Sequence, residues 1–86
     1  MTKKLNALES LYSINVLLDR VFYEEEDLDE VAPFCRFELR KIRRIFKSHP
    51  FADEISEMID TAIAFSDSLE SFGYAIDDLQ VAIECL

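Results

Sequence analysis

The sequence predicts an all-α fold, a small antiparallel helical bundle of three to four helices, on three observations. Its 86 residues include one glycine and two prolines, too few turn-formers for an all-β domain. No segment alternates apolar and polar residues over a useful length. Apolar residues recur instead at steps of three and four along most of the chain, and a sustained repeat of this kind favours nearly parallel or antiparallel helix packing. One domain, 1–86, is expected.

Helix 1 is expected over residues 3–23. Ala7, Leu11, Ile14, Leu18 and Val21 form its seam, and Thr2 is placed to cap it. Leu5, Tyr12, Val16 and Tyr23 line up within ~40° on a different side, and a helix apolar on two sides is buried on two sides. That second stripe is covered either by the chain's own last segment, 74–86, or by a second copy or target protein. The following stretch, EEEDLDEVA, reads as an acidic linker.

Helix 2 is expected over 33–48, with Pro33 in its first turn and Cys35, Leu39, Ile42, Phe46 and His49 as its seam. Ser48 and Pro50 close it and open a third segment. There Phe51, Ile55, Met58, Ala62, Phe65, Leu69, Phe72, Ile76, Leu79, Ile83 and Leu86 keep register without a missed position. One long helix from about 50 to 86 would run roughly 54 Å, longer than its neighbours could cover. The segment therefore either breaks between 66 and 73 or packs on another chain. Asp67-Ser68-Leu69-Glu70 suits a capping box and Gly73 weakens a helix, so the break is favoured.

Composition narrows the function. Eighteen acidic residues against nine basic ones give a net charge of -9, which disfavours phosphates and anionic lipid and favours basic partners. No apolar run is long enough for a bilayer, and MTKKLNALES lacks a signal-peptide core, so the expected compartment is cytoplasmic, without a membrane partner. Cys35 and Cys85 are expected as reduced thiols. A single glycine excludes phosphate-cradling and nucleophile-elbow loops. A single histidine excludes a His-based metal cluster, and His49 lies ~21 Å along the same expected helix from Cys35, too far to act as its base. The carboxylates of Glu24 to Glu30 lack the glycine turn and the distant glutamate of a calcium loop. No catalytic residue, metal or cofactor is expected.

Surfaces remain. Six of the nine bases fall between Arg36 and Pro50, and Arg36, Arg40, Arg43, Arg44 and Lys47 share one ~100° sector of helix 2. Phe37 projects beside Arg44 and Lys41, and aromatics next to arginine are favoured at protein interfaces. The third segment carries Asp53, Glu57, Asp60, Asp67 and Asp78 on its outer face, and no Lys or Arg follows residue 50. Such a face suits a partner with a basic surface. The expected function is that of a small acidic protein-binding module. It would be a stoichiometric modulator or inhibitor of phage, mobile-element, immunity or chaperone type, self-associating as a dimer through Leu5, Tyr12, Val16 and Tyr23. The alternative is a dimeric nucleic-acid-binding regulator using the basic face of helix 2.

Overall fold

Caps and turns decide where each helix of this chain starts and stops, and the computed structural model describes them over residues 2–86. The helix α1 spans Lys3–Tyr23, as expected, with Thr2 Oγ1 accepting the Leu5 N–H at 3.1 Å. The chain turns at Glu25, whose φ is 58°.

The helix α2 spans Leu28–Ile45, not 33–48. The acidic stretch is a linker only as far as Asp27. Asp27 Oδ1 accepts the Asp29 N–H at 3.0 Å, and Asp29 and Glu30 occupy the first turn, where the helix dipole favours negative charge. Val31 and Ala32 are buried and anchor the added turn. Pro33 consequently lies inside the helix, where it forgoes one backbone hydrogen bond. At the other end α2 stops at Phe46, and His49 shapes the turn that follows. Its Nδ1 accepts the Phe51 N–H at 3.1 Å, and its ring meets Phe46 edge-on at 5.5 Å between centroids.

The third segment divides into α3, Ala52–Ala64, and α4, Leu69–Glu84. The break occupies 65–68, at the near edge of the expected window, and its chemistry differs from the expectation. Ser68 is the N-cap of α4 and makes no side-chain cap bond, so the Asp67–Glu70 box does not form. The buried Ser66 hydroxyl donates instead to the Ile63 carbonyl at 2.8 Å and closes the end of α3.

Gly73 sits inside α4 and takes no part in the break. A Cβ there would meet nothing within 4 Å. Gly73→Ala is therefore expected to stabilise the fold by about 1 kcal/mol, the helix-propensity difference. In a thermal melt that corresponds to ~4–8 °C in Tm for a domain of this size. An unchanged or lower Tm would mean the position is not open.

The seams meet in one core. It is built from Ala7, Leu11, Ile14 and Leu18; Cys35, Leu39, Ile42 and Phe46; Ile55, Ile59 and Ala62; and Phe72, Ile76, Leu79 and Ile83. Phe51, Phe65 and Leu86 were expected in the third seam but are exposed, because they fall at helix ends rather than in helix middles. Each helix packs on its sequence neighbour and α4 returns to α1, giving an all-helical globule of 38 × 25 × 19 Å. Among the described residues no helix is long and apolar enough to cross a membrane.

Candidate functional site

Ten aromatic residues are present, and only Phe46 and Phe72 enter the core. The other eight are substantially exposed. In a chain this size aromatics supply the largest apolar side chains, so eight of them outside the core leave much apolar area at the surface.

Three faces carry six of them, and Phe51 and Phe65 flank α3 at its two ends. On α1, Tyr12 and Tyr23 are 71% and 76% exposed, Leu5 is exposed and Val16 half-buried. The chain's own last segment therefore does not cover this stripe, although α4 packs against α1. On α2, Phe34 and Phe37 stand one turn apart beside Arg40, Lys41 and Arg44, all exposed.

The five-base sector of α2 does not act as one free face. Its edge nearest the seam turns toward α3 and the break. Arg36 Nη1 donates to Ser66 Oγ at 3.1 Å, and Arg43 forms an ion pair with Asp60. These two links cross the α2–α3 boundary in opposite sequence order, so the helices run in opposite directions. Arg40, Arg44 and Lys47 remain exposed. Neutralisation of this face comes from α3 rather than from the acidic linker. Asp53 and Glu57 stay exposed on α3, whereas Asp67 lies in the break and Asp78 on α4. The acidic residues expected on one face thus lie on separate elements.

The third face is a cleft that wheel-by-wheel reading of the sequence missed. It opens between the C-terminal half of α1 and the N-terminal half of α4, with a volume of about 590 Å³. Leu18 and Leu69 line it as well as Gly73, and Phe22, Tyr23 and Tyr74 stand around it. Asp19, Glu70 and Asp77 supply its charge. Asn15 Nδ2 donates to Gln80 Oε1 at 3.2 Å farther along the same helix pair. A sequence clue existed in Gly73, a helical glycine flanked by Phe72 and Tyr74, but its meaning depends on which helix lies opposite.

The two thiols differ in accessibility. Burial pushes the Cys35 thiol up to about 11, outweighing the Arg36 charge that favours the thiolate; Glu38 adds to the rise. Cys85 is exposed. At pH 8 a thiol of that pKa is ionised in roughly one molecule in a thousand. A disulfide exchange reagent is thus expected to modify Cys85 quickly and Cys35 only after unfolding; two equally fast reactions would contradict this burial. The raised value also sets a pH dependence. An unfolded chain releases this proton near 9.0, while the folded one holds it to about 11. The stability contributed here is full below pH 9 and is lost as pH rises toward 11. A Cys35→Ala variant should lack that part of the slope.

Among the described residues no group of three potential ligands could hold a metal ion. No protein-family model matches the sequence, and no curated protein or solved structure is significantly similar to it.

Proposed function

We propose that this protein works in the cytoplasm by binding other proteins, as a stoichiometric modulator or inhibitor built on an antiparallel four-helix bundle. The observation that carries this reading is the placement of eight of ten aromatics at the surface of a chain with a net charge of -9. Exposed aromatics, and arginine beside them, are enriched at contact surfaces. Phe37 with Arg40 and Arg44 forms one contact face, and Asp53 and Glu57 form another. The Leu5, Tyr12, Val16 and Tyr23 stripe is the face for self-association into a dimer.

Affinity capture from the native cell, with the mass of the complex measured in solution, tests the reading. The expected product holds the chain and one other protein in fixed ratio. Asp53→Lys with Glu57→Lys, or Phe37→Ser with Arg44→Glu, should weaken capture. A chain that elutes alone at every concentration would sink the proposal. A low-salt gel-shift giving a complex with DNA or RNA that fades with added salt would favour phosphate binding through Arg40, Arg44 and Lys47 instead.

A further inference from the structure

We propose that the α1–α4 cleft receives an arginine or lysine side chain carried on an apolar segment of a partner protein. This rests on the protein-binding reading above and names the site and the chemistry of its ligand. Three observations converge on it.

The first is charge. Asp19, Glu70 and Asp77 line the cleft, and no lysine or arginine does. Arg20, the nearest base in sequence, lines an adjoining depression that shares Asp19 and Tyr23 with the cleft, and it pairs with none of the three acids. The α4 wall lies in a stretch without a single base, so nothing on that side offsets its acids. None of the three carboxylates makes an ion pair or a side-chain hydrogen bond among the described residues.

The second is aromatic content. Phe22 and Tyr23 pack edge to face at 4.9 Å between centroids, and Tyr74 stands on the opposite wall. Ring faces near carboxylates attract a cation that also brings apolar surface, and a guanidinium or ammonium on its methylene stem fits both. A bare metal ion would find no use for the rings, and an acidic segment would be repelled.

The third is Gly73. It lines the cleft with open space where a side chain would project. The single glycine of the chain therefore keeps the cleft wide at its α4 wall.

The test uses the full chain and two fluorescein-labelled peptides. One carries leucines at steps of three and four with arginines between them; the other has glutamates in place of the arginines. The arginine peptide is expected to bind and the glutamate peptide not to. As the only glycine, Gly73 gives a single reporter amide in a nitrogen-15 correlation spectrum, and it should shift on titration. Glu70→Lys with Asp77→Lys is expected to weaken binding by at least ~tenfold, because a like charge replaces a complementary one. Tyr74→Ala, at an exposed position, should weaken it without a change in fold by circular dichroism. The pair Glu9→Lys and Glu84→Lys, exposed at the far end of the same two helices, should leave it unchanged.

If the contact-face variant Asp53→Lys with Glu57→Lys weakens peptide binding and the cleft variants do not, the cleft assignment fails while the protein-binding reading stands. Displacement of the peptide by spermidine at equal concentration would assign the cleft to small polyamines and overturn the proposal. A Gly73 signal that still shifts on dilution in a Leu5→Ser with Tyr12→Ser variant, whose α1 stripe is broken, would assign the cleft to a second copy and overturn the proposal too. If neither peptide binds, the proposal fails, and capture from the cell then decides the wider reading separately.

Discussion

Phe72→Ala is expected to cost about 3–5 kcal/mol of unfolding free energy, the usual range for emptying a fully buried phenylalanine site. Phe72 is 0% exposed and is the largest of the fully buried side chains. It stands in the first turns of α4, immediately after the 65–68 break, and its N–H donates to the Ser68 carbonyl at 2.8 Å. The ring thus anchors the start of α4 in the common core. A domain of this size has roughly 5–15 kcal/mol in total, so the variant should be marginal in a urea titration. Phe37→Ala removes the same group from a position 56% exposed and should cost no more than about 0.5 kcal/mol. Equal losses for the two variants would show that the inside and outside of this fold are wrongly assigned.

The second large effect concerns the break itself. Ser66→Ala removes a buried hydroxyl that accepts from Arg36 and donates to the Ile63 carbonyl, and is expected to cost about 1–3 kcal/mol. Arg36→Ala should cost less on its own, since Arg36 is only half-buried. If the two act through one link, the double variant should lose less than the sum of the singles. Strict additivity would mean that Arg36 does not secure this turn, and would return it to the set of residues available for contact.

These two effects show where sequence reasoning succeeds and where it stops. The bounds of α1 were legible because a cap residue, an unbroken seam and an acidic stop all coincide at the same places. The start of α2 was misread because Pro33 resembles a first-turn proline. Asp27 as cap, Asp29 and Glu30 on the dipole, and buried Val31 and Ala32 together extend the helix through it. The break between α3 and α4 was legible from length, since a single helix would outrun its neighbours. Its position was legible only as the window 66–73, which 65–68 overlaps at its near edge, because the seam stays in register across the break and Gly73 lies inside α4 rather than in the turn.

The candidate surfaces divide in the same manner. Phe37 and the α1 stripe follow from helical spacing alone, and both stand exposed except at the half-buried Val16. The engagement of Arg36 and Arg43 required knowing what lies across the helix boundary. So did the α1–α4 cleft, whose walls come from residues some fifty positions apart.

The central claim is that the exposed aromatics serve contact rather than folding. It is tested most directly by a variant with Phe22, Phe34, Phe37 and Tyr74 all replaced by glutamine, a residue that helices accept readily. Its thermal melt and its capture of the cellular partner would be measured side by side with the unaltered chain. The account predicts a cooperative melt within a few degrees of the original and loss of the stoichiometric complex. A collapsed melt, or a complex retained in full, would contradict it.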